Sequence, residues 1–336
     1  MNRPPETFVV VQEERLLAFA EACFQAAGLT TDHAKLISRL LVNSDLRGVR
    51  SHGTRTVNHY CKAFEDDVCN PTPTPTIVHE TPTAVVIDGD GTLGYWPMVM
   101  ATEHAIAKAK QVGIGMGLVR YIGHYGSAGH YTRMAMEQGC VGFSVQGHRN
   151  QGRYGNDGGG PNPGRHLGYH GNPPISFAIP AGEEAPVVLD AATCILADYQ
   201  RGPEFEALFS MIPAAFFKSI GYGVVAGLLG GGLTGFTLSD ATVTRYPRAR
   251  QGGMILAIDV ASVVPEEVFR AETDRMARDI RETYVPMPGT DRSLLPGAIE
   301  EERLAYHRAH GIRYGEMEQT AAQAASERLG VPLPWD

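Results

Sequence analysis

Apolar positions recur at helical spacing through the first fifty residues. Leu16, Leu17, Phe19, Ala20, Cys23 and Phe24 make one stripe, and Ala34, Ile37, Leu40, Leu41 and Ser44 make a second. Two amphipathic helices are therefore expected over 11–45, with Gly28 ending the first and Thr31 capping the second. The Pro/Thr-rich stretch 71–82 reads as an extended connector. Beyond it the pattern changes. Residues 83–88 predict a strand, Asp88-Gly89-Asp90-Gly91 a turn, and Pro97 opens a helix to about 112. The apolar run 113–119 suits a buried strand, followed by a helix at 127–137 and a strand at 141–145. This β-turn-α-β succession indicates an α/β protein with a mixed sheet. Residues 147–172 show no apolar period and read as one long loop. Strands are expected again at 175–179, 186–189 and 254–258. Helices are expected at 204–215, 265–282 and 299–310. The domain boundaries that follow are a helical lobe from 1–75 with 284–336, and an α/β lobe over 76–283.

Composition narrows the class. The 336 residues are 43% apolar and 20% charged, ordinary for a globular protein, and the net charge of −8 argues against nucleic-acid or anionic-membrane partners. The five cysteines are scattered without a CxxC pair, which fits a reducing cytoplasm. The N-terminus shows no signal-peptide core. The greasy stretch Ile220 to Phe236 carries seven glycines; it is short for a membrane span and reads as a buried, closely packed helix, at a subunit contact or within the core.

Two histidines stand in glycine turns: His52 in Arg50-Ser51-His52-Gly53, and His124 in Gly123-His124-Tyr125-Gly126. Such turns hold polar groups in clefts, and imidazole transfers protons near neutral pH. Each also has a plainer reading, as a turn cap or a histidine satisfied by carbonyls. The runs Gly89-Asp90-Gly91 and Gly113-Ile114-Gly115-Met116-Gly117 lack the spacing of a Rossmann turn, and no P-loop exists. His148, His166, His170 and Asp157 populate the long loop, but no HxH or HExxH spacing supports a metal site. Asp190 follows an apolar strand, a common address for a site residue.

In five segments, taken in order, the chain resembles the malate/L-lactate dehydrogenase family, which is distinct from the Rossmann lactate dehydrogenases. They are Asp45 through Gly53, Arg120 through Gly126, Asn172 through Glu184, Val188 through Thr193, and Gly221-Tyr222-Gly223 with Leu233-Thr234-Gly235. Leu256 through Asp259 and Leu295-Pro296-Gly297 add to these. The resemblance implies a homodimer with a non-Rossmann cofactor lobe. It implies hydride exchange between NAD or NADP and a small 2-oxo or 2-hydroxy acid, or a cyclic imine acid. It makes His52 and His124 the acid/base candidates. With them go Ser51 as orienter and Arg120 as carboxylate anchor, with Arg47, Arg50 and Arg55 as other candidate cations. Pro186, Asp190, Ala191, Ala192, Lys218 and Gly297 would border the cofactor. Departures cluster on that cofactor side. The family's SHGxxxR arginine falls on Thr56 with Arg55 one place early, and its lysine before Gly-Tyr-Gly falls on Ile220 with Lys218 displaced by two. Its GTNP turn is Gly171-Asn172-Pro173-Pro174, and its LPGE ends in Ala298. They motivate a rival reading, a cofactor-independent lyase or isomerase, metal-assisted or not, that uses the same histidines. A third reading is a non-catalytic carboxylate binder.

Overall fold

The computed structural model describes residues 4–148, 172–195, 202–237 and 239–336. The expectations for the loop histidines His166 and His170 and for Asp157 fall outside these residues. The chain runs β1 (Phe8–Val11), α1 (Glu13–Ala26), α2 (Thr31–Leu46), α3 (Val57–Glu65), β2 (Thr76–Glu80), β3 (Ala84–Asp88), α4 (Tyr95–Val112), β4 (Ile114–Ile122), α5 (Gly129–Glu137) and β5 (Cys140–His148). It continues as β6 (Pro174–Ile179), β7 (Val187–Ala192), α6 (Pro203–Met211), α7 (Pro213–Gly227), α8 (Ala241–Arg245), β8 (Gln251–Asp259), α9 (Glu266–Thr283), α10 (Ala298–His310), β9 (Ile312–Gly315) and α11 (Glu316–Leu329).

The two N-terminal helices form where the stripes predict, and their buried faces are those stripes. The cap of α2 is Thr30 rather than Thr31; the Thr30 hydroxyl accepts from the His33 amide at 3.4 Å. The 71–82 connector contains the edge strand β2, whose five positions are all exposed, so no alternation marks it in the sequence.

Seven strands form one sheet in the order β2-β3-β4-β8-β5-β6-β7. Among the described residues only β3 and β4 pair in parallel, joined by the crossover helix α4; every other neighbour is antiparallel. A doubly wound nucleotide fold needs a mainly parallel sheet, so the rejection of a Rossmann turn holds at the level of topology. The glycines that imitate such a turn have another task. A Cβ on Gly115 would overlap the Ala105 carbonyl oxygen, and one on Gly117 would lie 2.8 Å from the Ala101 carbonyl carbon. They let α4 lie directly on β4.

One apolar core joins α1, α2, α3 and α11 to α4 and the sheet. The chain's two ends meet in it, because β1 pairs antiparallel with β9. The Gly-rich stretch is half as expected. Gly230 and Gly231 are buried, and an added Cβ on Gly230 would come within 2.5 Å of the Gly147 amide. Its other face is bare: Phe217, Tyr222, Val225, Leu228 and Leu233 are exposed. The glycines pack backbone on backbone, while the large apolar side chains point away from this chain's core.

Candidate active site

The two histidines, 72 positions apart in sequence, come together. Their rings stack with centroids 5.5 Å apart and planes 29° apart. Each is delivered by a braced turn. After α2, the chain makes two single 3-10 turns, Arg50–His52 and Thr54–Thr56. Asp45, on the last turn of α2, accepts at one oxygen from the Thr54 amide (2.8 Å) and the Thr54 hydroxyl (2.5 Å). With its proton so committed, the Thr54 hydroxyl receives that of Tyr314 at 2.9 Å. Gly53 has no room for a side chain, because a Cβ there would overlap Asp45 Oδ1. Arg50 forks onto Glu318 of α11, a carboxylate 1% exposed.

The His124 turn follows an irregularity in β4. The register with β8 shifts between Val119 and Ile122, and Tyr121 has a φ of 53°. Bulges of this kind re-aim a strand beside a functional site. Gln146 of β5 then clamps the turn: its Nε2 donates to the Gly123 carbonyl at 3.0 Å, and its Oε1 accepts from the Tyr125 amide at 3.4 Å.

Each ring has one nitrogen tied and one without a hydrogen bond among the described residues. Ser51 Oγ holds His52 Nδ1 at 2.8 Å, as expected of an orienting hydroxyl. Tyr60 of α3 holds His124 Nδ1 at 2.6 Å and lies 3.3 Å from the Tyr95 hydroxyl. Burial, with His52, His148 and His59 as neighbouring cations, drives the pKa of His124 down to about 3, so its imidazole is neutral at pH 7. Burial and Arg55 also lower His52, while Asp190 opposes them. A third buried histidine, His130, lies against Tyr95 and 3.3 Å from Ser44 Oγ; burial and Arg133 push it down to about 3.

Arg120 is paired on the sheet. Its Nε donates to Asp88 at 3.2 Å on the neighbouring strand, and its guanidinium lies over Tyr121. Arg47 and Arg50 are paired with Glu301 and Glu318. Arg55 is the member of the four expected cations that acts on His52, and it has no hydrogen bond or ion pair among the described residues.

On the expected cofactor side a cleft of about 320 Å³ opens between β7 and the 294–300 loop. Val49, Arg133, Val188, Asp190, Pro296, Gly297 and Glu300 are among its walls. The loop is pinned to the strand by the Val188 amide, which donates to the Pro296 carbonyl at 2.8 Å. Gly297 has a φ of 99°, and a Cβ would lie 2.8 Å from the Val188 nitrogen and 3.0 Å from the Pro186 carbonyl oxygen. Asp190 and Gly297 thus line the cleft, and Pro186 backs it. Ala191 and Ala192 continue β7 opposite Ile175 and Pro174. Lys218 is exposed on α7, whose contact with β7 runs instead through Ser219, donating to the Thr193 carbonyl at 2.6 Å.

Arginines and carboxylates crowd together at this cleft. Arg47 bonds to Glu301, and Arg133 Nε lies 4.0 Å from the same oxygen. The Nε atoms of both arginines are buried without a hydrogen bond. Burial and Arg47 push Arg133 down to about 10, while Asp190, Glu301 and Glu300 oppose them. Asp190 faces this group and accepts from Ser127. Tyr60, Gln146, His130 and Arg133 were missed in the sequence, since each sits in an apolar helix or strand stretch with nothing local to mark it.

An antiparallel-dominated sheet with a paired-histidine site beside this cleft sets the chain apart from the Rossmann dehydrogenases. The malate/L-lactate dehydrogenase profile matches residues 11–200 and 204–321, and the chain belongs to that family. It is 29% identical to a malate dehydrogenase of Pyrococcus horikoshii, over 82% of this chain and 83% of that protein. It is 30% identical to an L-sulfolactate dehydrogenase of Methanocaldococcus jannaschii, over 82% and 84%. The solved malate dehydrogenase of Pyrococcus horikoshii superposes with a TM-score of 0.81 over 98% of each chain, at 24% identity, a likeness of fold.

Proposed function

We propose that the protein is an NAD-dependent dehydrogenase of a small 2-hydroxy acid, with His124 as proton acceptor. The observation that carries this is the stacked histidine pair beside a cleft on whose wall Arg133 keeps a buried Nε without a hydrogen bond. A dinucleotide pyrophosphate would meet Arg133 there, whose buried Nε lacks a hydrogen bond, with Asp190 and Glu300 on the same walls. The relative named ureidoglycolate dehydrogenase (NAD(+)), of Escherichia coli, at 23% identity over 90% of this chain, supports the choice of NAD. When bound, the nicotinamide supplies the hydride acceptor.

The residues of the chain account for the remainder. Arg55 meets the substrate carboxylate. His124, kept neutral by burial, takes the hydroxyl proton at Nε2 as the hydroxy acid is oxidised, and returns it in the reverse direction. Tyr60 fixes the tautomer by holding Nδ1. His52 hydrogen-bonds the same oxygen, with Ser51 fixing its ring and Asp190 favouring its charged form. The proposal includes a homodimer through the bare face of α7, where Phe217, Tyr222 and Val225 are exposed. It includes a reducing cytoplasm, which suits five free cysteines.

The test is to follow NADH formation with malate, sulfolactate and lactate. His124→Asn should lower kcat by about 100-fold or more, and His52→Asn less, if proton transfer rests on His124. Turnover by His124→Asn equal to wild type, or no NADH binding by fluorescence, rejects the assignment.

A further inference from the structure

A second cavity, of about 330 Å³, shares no lining residue with the dinucleotide cleft. Pro5, Ile312, Tyr306 and Tyr314 give it apolar walls, and Arg303 gives it a cation. Gly48, in the left-handed region at φ 73°, makes room for that arginine: a Cβ there would lie 2.7 Å from Arg303 Cδ and 3.0 Å from Nη1.

The other charged groups of the cavity are committed. Arg50 holds Glu318, Arg313 donates to the Tyr306 hydroxyl at 2.8 Å, and Glu302 holds Arg292. His307 Nδ1 is bonded to the Leu46 carbonyl at 2.7 Å. Arg303 alone among these has no hydrogen bond or ion pair among the described residues, although it is half-buried. A guanidinium fork over proline and tyrosine walls is the chemistry that takes an apolar carboxylate. The fork meets the carboxylate at two points, and the walls shed water onto a ring. A cavity of about 150 Å³ is enough for a benzene ring, so this one accommodates an aryl carboxylate with its carboxylate group.

Three lining residues belong to the catalytic turn. Asp45 holds Thr54, Arg50 opens the 3-10 turn that ends in His52, and Gly48 lies between them. A ligand that draws Arg303 off Gly48 therefore acts on the segment that aims His52.

We infer that this cavity is a second binding site for a small apolar carboxylate, anchored by Arg303 and sensed by the His52 turn. The inference concerns binding and stands apart from the identity of the substrate. The test uses benzoate titrated into the full chain by calorimetry, with the His52 ring followed by NMR. Wild type should bind benzoate and shift the His52 resonance. Arg303→Met should weaken binding tenfold or more and abolish the shift. Arg303→Lys should fall between, since an ammonium keeps the charge and loses the fork. Unchanged thermal unfolding of both variants shows an intact fold. The inference is overturned by absence of binding, by equal affinity in Arg303→Met, or by binding without a His52 shift. Loss of binding in Arg55→Met in place of Arg303→Met would put benzoate in the catalytic site. That outcome refutes the second site and leaves the dehydrogenase reading in place.

Discussion

Gly53→Ala tests how the catalytic turn is held. The backbone there, at φ −93° and ψ −162°, is extended and open to any residue, so the cost is one of space alone. The new Cβ would overlap Asp45 Oδ1 and lie 2.8 Å from Oδ2. Asp45 is 2% exposed and cannot yield without releasing the Thr54 amide and hydroxyl. Overpacking of a rigid site costs about 1–3 kcal/mol. Loosening two hydrogen bonds to a carboxylate adds about 1.5–3 kcal/mol for each bond lost. A destabilisation of about 3–5 kcal/mol follows for Gly53→Ala. Asp45→Ala alone leaves the Thr54 amide unpaired, at about 1–3 kcal/mol. In the double variant the obstacle is gone, so Gly53→Ala should then cost little. Urea unfolding followed by circular dichroism, at one fixed protomer concentration, gives all four stabilities. A coupling of about 3–5 kcal/mol, nearly the whole cost of Gly53→Ala, is expected, and additivity within about 0.5 kcal/mol refutes the reasoning.

Tyr60→Phe removes the proton partner of His124 Nδ1; kcat should fall by about tenfold, one hydrogen bond's worth, with KM little changed, and an equal kcat rejects the tautomer role. Arg133→Met should raise the dissociation constant for NADH by about tenfold, because the cleft loses its lining guanidinium; fluorescence titration decides, and an unchanged constant rejects the role. Burial holds His130 at about 3, against 6.5 for a free imidazole, so the unfolded chain takes up a proton that the native one refuses, and stability is lost as pH falls from 6.5 towards 3. His130→Asn should flatten that acid limb in urea midpoints, and an unchanged slope rules the origin out. Asp45 acts in the opposite sense: burial raises it from 3.8 to about 7, so its contribution is complete below 3.8 and fades as pH rises through 7, a trend absent in Asp45→Asn.

Much of this architecture was legible in residue patterns, for definite reasons. Helices with one buried stripe announce themselves, as in α1 and α2, and the glycine turns at His52 and His124 mark places where backbone must bend. Edge elements escaped. The strand β2 is exposed at every position, and the short pair β1 and β9 meets only because residues more than 300 apart are adjacent in space. The partners of the histidines escaped for a related reason. Tyr60 and Gln146 lie inside an amphipathic helix and a buried strand, where any polar residue reads as a boundary fault. Among four candidate arginines the sequence favours Arg120; pairing cannot be read there, and in the structure Arg47, Arg50 and Arg120 each hold a carboxylate while Arg55 has none among the described residues.

The ties from the His52 turn to the far end of the chain have a consequence for biosynthesis. Thr54 reaches Tyr314 across 260 positions, and Arg50 reaches Glu318 across 268. During translation the ribosome must lay down nearly the whole sheet before either partner emerges. Closing loops of that length is slow and comes late. The His52 turn is therefore clasped only after β9 and α11 have emerged, and a nascent chain stalled before β9 would carry the glycine turn but not the clasp that aims it.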